Sequence, residues 1–267
     1  MPVANARMYS ATPGVKQAWK DVLGWVLGRA GLRWELLDHD APASLSALWA
    51  RSDLGCTMMC GLPYSQRTPR PILVAAPVPS PERYAGRAVY FTDIVVRAGA
   101  PHRMLEDTFG GIVGYTLADS MSGCVALRAH LLPYRVARGS KLYRDAVGGL
   151  LNARRVIEAI DAGRIDVGPL DSYYHDLLRA GDPDFASKIR VVASTREAPI
   201  PPLVATAPLA PDELSRLRGA LLEPGGAPQL AAERATLLLS GFAVPRESDY
   251  DALGEVVAAS RKFPETW

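Results

Sequence analysis

Three cysteines, four histidines and no run of 18 apolar residues are scarcities that each close off a class of protein. Cys56, Cys60 and Cys124 are too few for a disulfide framework. Cys56 and Cys60, in an apolar stretch and at its exit, read as small buried residues with free thiols. His39, His102, His130 and His175 show no ligand spacing, so no metal and no other cofactor is expected. The missing apolar run excludes a membrane-spanning helix, and no membrane insertion is expected. Charge of either sign is in balance: 30 basic against 28 acidic residues, net +2 and without a basic run. That balance gives no reason to expect a nucleic-acid or membrane partner. Residues 1–9 carry no charged segment, apolar segment or cleavage site of the secretory kind. On that reading either the chain stays in the cytoplasm or its export signal is not part of this sequence. Internal repeats and low-complexity segments are also missing.

What is present is an ordinary globular composition. Hydrophobic residues make up 48% and charged residues 22% of 267 positions, enough core for one large domain or two small ones. Helix and strand signals alternate, which predicts an α/β chain with largely parallel sheets. Residues 13–30 carry a helical stripe of Val15, Ala18, Trp19, Val22, Leu23, Val26 and Leu27, ended by Gly31. Strands are expected at 6–10, 34–37, 54–60, 72–78, 89–97, 111–116, 165–170, 189–194 and 203–207. Further helices are expected at 44–51, from 122 to near Pro133, in the second half of 143–162, at 172–179, 211–222, 229–239 and 248–261. Gly61-Leu62-Pro63-Tyr64 reads as a turn at a strand's carboxyl end, where open α/β sheets present ligand contacts. The strands at 89–97 and 203–207 read as two crossings between lobes. They predict a discontinuous first lobe, 1–94 with 196–267, an inserted lobe of 95–195, and ligand in the cleft between them.

Residues 115–127 are the stretch with the most chemistry: a strand end, a polar turn, then a helix. Asp119, Ser120 and Ser122 are helix-capping types, and one of them should hold the N-cap. Two hydroxyls, free backbone N–H groups and the positive end of a helix would then converge on an anion. The alternative is that Ser120 and Ser122 only cap their own helix.

Several stretches taken together resemble the phosphate/phosphonate-binding proteins of ABC importers. These are Cys60-Gly61-Leu62-Pro63-Tyr64, the segment from Tyr90 to Arg97, Asp119-Ser120-Met121-Ser122-Gly123, the segment from Ala162 to Asp171, and Ile189 to Thr195 with the prolines after it. Order and spacing agree over about residues 5–225. The resemblance implies the type II periplasmic-binding-protein fold: two lobes, each a mixed sheet flanked by helices, with two crossover strands as hinge. It places Ser120, Met121, Ser122 and Gly123 in the serine-rich anion loop. Tyr64 falls at an aromatic wall or simply packs its turn, and Asp171 faces the ligand's far end or only caps its helix. Tyr90 and Asp93 fall on the cleft floor, Tyr173 or Tyr174 on the cleft side of its helix, and Asp166 in a structural role. Phosphonate binders carry a Gly-x-His before the long helix. This sequence reads Gly148-Gly149-Leu150-Leu151-Asn152-Ala153-Arg154-Arg155, where Asn152 can donate a hydrogen bond and Arg154 or Arg155 can supply charge. Without that histidine, a singly charged anion or a larger organic ligand with one anionic end joins phosphonate as a prospect.

The implied function is that of a non-enzymatic solute-binding protein trapping a phosphonate, phosphate ester or related oxyanion by hinge closure, periplasmic by resemblance. Its partner would be an ABC permease, and its state monomer or weak dimer. Two alternatives stand beside it. One is a cytoplasmic enzyme on the same fold, a lyase or cofactor-biosynthesis step, although no nucleophile–base pair is evident. The other is a ligand-sensing module, although no helix-turn-helix or coiled coil is attached.

Overall fold

The protein was analysed as a computed structural model that describes residues 1–40, 43–261 and 267. It divides into two compact units, Met1–Val89 with Pro199–Tyr250, and Tyr90–Ala198 with Asp251–Trp267. The chain leaves the first unit after Val89 and returns after Ala198, where Val89–Tyr90 pairs with Ala198–Pro199.

The first unit is a six-stranded mixed sheet in the order Leu239–Ala243, Ile72–Pro79, Leu203–Ala205, Leu54–Met58, Val3–Asn5, Glu35–Leu36. Val3–Asn5 runs parallel to both of its neighbours, whereas Leu203–Ala205 is antiparallel to both of its own. The helix Pro13–Arg29 forms where its stripe predicts. Thr12 Oγ1 accepts the Val15 N–H at 3.3 Å, Pro13 opens the first turn, and Gly31 at φ +65° lets the chain leave. Its seven stripe residues are buried. Two expectations fail locally. Residues 6–10 are not a strand, because Asn5 Oδ1 accepts the Arg7 N–H at 2.9 Å and turns the chain into the short helix Arg7–Tyr9. Gly61-Leu62-Pro63-Tyr64 is not a plain turn but the start of the helix Gly61–Ser65, closed by the Tyr64 N–H on the Cys60 carbonyl.

The second unit is a five-stranded mixed sheet in the order Ile189–Ser194, Thr92–Arg97, Val167–Asp171, Ile112–Gly114, Asp145–Val147. Thr92–Arg97 is antiparallel to both neighbours, and the three strands beyond it run parallel to one another. Alternation along Thr92–Arg97 builds two cores. Val95 joins Val156, Ile157, Ile160 and Leu170, while Ile94 and Val96 join Val113, Leu127, Leu131 and Val167. Covered on both faces, these strands read as continuous apolar runs.

Three further differences concern this unit. Asp145–Val147 is a strand inside a stretch expected to be loop and helix. Three residues are too few to show a period, and only pairing with Ile112–Gly114 makes them extended. The helix expected to end near Pro133 continues to Arg138 and stops at Gly139, φ +69°. Pro133 is exposed, so the backbone carbonyl it leaves unpaired can bond water, while Leu127 and Leu131 anchor the buried side. The first lobe was expected to keep the whole C-terminus, but the helix Ala252–Arg261 groups with the second unit, packing on Ala126–Arg138. Residues 262–266 of that expectation lie outside the described residues.

Candidate functional site

All three parallel strands of the second unit end on the same edge of its sheet, and Thr92–Arg97 begins there. Residues expected to bind ligand follow each strand end: Ser120–Gly123 after Ile112–Gly114, Asn152 after Asp145–Val147, and Asp171 with Tyr173 after Val167–Asp171. Asp93 lies at the start of the antiparallel strand. Topology therefore assembles residues up to 80 positions apart along one edge.

The anion loop is built tightly. Thr116 donates its N–H to the Gly123 carbonyl at 3.0 Å, closing residues 116–123 on themselves. Ser120 is the N-cap, its Oγ accepting the Gly123 N–H at 3.1 Å and its carbonyl accepting the N–H groups of both Cys124 and Val125. The bond to Val125 spans five residues, so Met121–Val125 is a π turn that runs into the α-helix Ala126–Arg138. Within a helix the first N–H groups have no partner in the preceding turn. Here Ser120 satisfies the third and fourth, and the Met121 and Ser122 N–H groups and the Ser122 hydroxyl bond to nothing among the described residues. Ser120 thus has the capping role, and Ser122 does not. The Ser122 carbonyl is tied down by Thr92 Oγ1 at 3.2 Å. The arrangement presents two N–H donors and one hydroxyl at the positive end of an 18-residue helical run, Met121 to Arg138, which suits one oxyanion.

The other expected residues divide by burial. Asp171 is half-buried and caps the helix Ser172–Gly181, accepting from Tyr173 and Tyr174 N–H at 3.0 and 3.1 Å. Asn152 is exposed and caps Ala153–Asp161 through the Arg155 N–H at 3.0 Å. Arg154 is engaged with Asp182 at 2.9 Å and with the Phe185 ring. Asp93 is fully buried: its carboxylate accepts from His175 Nδ1 at 2.9 Å and from Ser194 Oγ at 2.8 Å. Tyr173 is fully buried, and burial drives its hydroxyl well above the ordinary range. Tyr90, at the start of this unit, is buried as well. Asp166 accepts the Ile112 N–H at 2.7 Å, the structural role expected of it. Tyr64 belongs to the first unit, where it is fully buried with its ring edge-on to Tyr250 at 5.1 Å. Burial lifts the Cys56 thiol to about 12 and the Cys124 thiol to about 11, the latter against the pull of Arg128. All three cysteines are buried and outside any disulfide.

Sequence reasoning missed Thr92, Thr116, Tyr115 and His175. Thr92 adjoins a residue that was singled out, but its hydroxyl bond to the loop crosses 30 positions and leaves no local trace. Among the described residues no group of three or more His, Cys, Asp or Glu is placed to hold a metal. Among the same residues no helix is long and apolar enough to cross a membrane.

Comparison with known proteins agrees with this picture. The family described as ABC transporter, phosphonate, periplasmic substrate-binding protein matches residues 53–250. A binding-protein component of an ABC phosphonate transporter from Pseudomonas aeruginosa shares the fold with a TM-score of 0.78 at 15% identity, over 97% of this chain and 87% of its own. PhnD1 from Prochlorococcus marinus, in complex with methylphosphonate, gives 0.77 at 14% identity over 98% of each chain. XAC2383 from Xanthomonas citri, bound to ATP, gives 0.62 at 22% identity over 97% of each. No curated protein matches the sequence. The fold is that of the type II periplasmic binding proteins. The matching family consists of transport receptors rather than enzymes, so the enzyme alternative is set aside. The chain belongs to the family of periplasmic substrate-binding proteins of ABC phosphonate transporters.

Proposed function

We propose that this chain is the receptor of an ABC importer and holds a phosphonate, phosphate ester or related oxyanion by its head group on the Ser120–Gly123 loop. The observation that carries the reading is the pair of N–H groups on Met121 and Ser122, with the Ser122 hydroxyl, at a helix start whose cap is already supplied by Ser120. Charge-assisted hydrogen bonds to an oxyanion are the strong use of such donors. An ABC permease is the partner, the compartment is the periplasm, where receptor and permease meet, and the receptor acts as a monomer or weak dimer. Asn152 and Asp171, on the neighbouring strand ends, shape the ligand's remainder. Methylphosphonate, found with one relative of the same fold, is the first probe.

Calorimetric titration of Ser122→Ala and Ser120→Ala with methylphosphonate tests this. Ser122→Ala should weaken binding by about 1–3 kcal/mol with little change in stability. Ser120→Ala should instead lower stability by about 1 kcal/mol. Unchanged affinity in Ser122→Ala would make the loop a helix cap and nothing more.

A further inference from the structure

Beside the anion loop lies a flat side chain that no anion requires. The Trp267 ring is stacked on that of Tyr115, centroids 5.4 Å apart and planes 13° from parallel, and the Arg128 guanidinium lies 5.5 Å from the Trp267 ring centre. Both neighbours frame the loop. Tyr115 directly follows the strand that enters it, and Arg128 is in the first α-helical turn that leaves it. Tyr115 is firmly held. Its N–H donates to Val147 at 3.0 Å, its carbonyl accepts from Leu150 at 3.3 Å, and a methyl group at Gly148 would stand 2.4 Å from its Cζ. The next residue, Thr116, is the one bonded to Gly123, so the platform adjoins the residue that closes the loop.

Two exposed apolar residues lie close by in the chain, one two positions after Tyr115 and one following the Leu150 that bonds its carbonyl. Leu117 is 45% exposed and Leu151 51% exposed. Leu151 also has φ +66°, a conformation that L side chains rarely adopt. Strained, exposed apolar residues concentrate at ligand sites. We propose that this site reads a flat substituent as well as an anionic head. The ligand is an organic oxyanion bearing an aromatic or heteroaromatic ring; the head sits on the Met121 and Ser122 donors, and the ring takes the place on Tyr115 that Trp267 fills here. Arg128 then lies over the ring, as it lies over Trp267 here. The inference rests on the anion-loop reading above.

The test is calorimetric titration with methylphosphonate and phenylphosphonate, using wild type, Trp267→Ala, Tyr115→Phe and Tyr115→Leu. Trp267→Ala should tighten phenylphosphonate about 3- to 10-fold, the range an aromatic pair contributes, and leave methylphosphonate within 2-fold. Tyr115→Leu should weaken phenylphosphonate by a similar factor, and Tyr115→Phe should change neither probe. Equal effects on both probes, or none from Trp267→Ala, would overturn the inference while the anion loop stands. Binding of neither probe to folded wild type would overturn the anion-loop reading and this inference with it.

Discussion

A methyl group at Gly123 would stand 1.8 Å from Thr116 Oγ1 and 2.8 Å from Ser120 Oγ, side chains of the two residues whose bonds to Gly123 help close the anion loop. Gly123→Ala should therefore open the loop, costing about 1–3 kcal/mol of stability and abolishing methylphosphonate binding, measurable by denaturant titration and calorimetry. Asp93 has a structural part, whatever it contributes to a ligand. Both oxygens of a fully buried carboxylate are engaged, by His175 and Ser194, so it ties two strands to the helix Ser172–Gly181. Asp93→Ala leaves the buried imidazole without its partner and should cost about 3 kcal/mol in chemical denaturation. A loss under 1 kcal/mol would mean that the pair contributes little.

Among the elements, Ala153–Asp161 illustrates how one residue can carry two roles that a single substitution confuses. Asn152 caps this helix from an exposed position on the candidate edge. Asn152→Ala should lose about 1 kcal/mol of stability, whereas Asn152→Asp keeps a capping oxygen and should hold the melting temperature. Any fall in anion affinity shared by Asn152→Asp then reports on the ligand and not on the helix. The helix Ala126–Arg138 shows the limit of local rules. Pro133 inside it was a stop signal, yet burial of Leu127 and Leu131 and support from Ala252–Arg261 outweigh one missing backbone bond.

For the molecule as a whole, the consequence of so much buried titratable surface is sensitivity to alkali. Burial raises Cys56 from 9.0 to about 12, Cys124 from 9.0 to about 11, and Tyr143 from 10.0 to about 12. The folded values exceed the unfolded ones, so the stability these groups contribute is intact below pH 9 and is lost as pH climbs towards 11–12. Each group that has ionised only in the unfolded chain steepens the decline by about 1.4 kcal/mol per pH unit. Melting curves between pH 8 and 11 should show a falling midpoint, and thiol reagents at pH 8 should label the three cysteines only on unfolding. A flat midpoint or rapid native labelling would contradict the burial. Saturation with ligand at 100 times its dissociation constant adds about 2.7 kcal/mol, which shifts the midpoint by roughly 5–10 °C in chains of about 150–250 residues.

Periodicity and capping chemistry are local, and what depends on them was legible in the residues. The stripe of Pro13–Arg29, the exact span of Pro211–Leu222, the buried strands and the serine-rich helix start all follow from neighbours within one or two turns. The ordered set of motifs carried the family as well, because its signals are short segments in sequence. Pairing and burial belong to the tertiary structure. The three-residue strand Asp145–Val147 exists only beside its partner, and the last helix joins the second unit only because its buried face meets Ala126–Arg138. Which polar residues face inward was undecided for the same reason. Asp93, Tyr64 and Tyr173 are of ligand-binding types, yet they are buried, whereas Ser122 keeps its donors uncommitted because Ser120 has already capped the helix. Residue type sets what a side chain can bond; the folded chain, through neighbours as near as Ser120 and as distant as His175, determines whether that capacity is already spent.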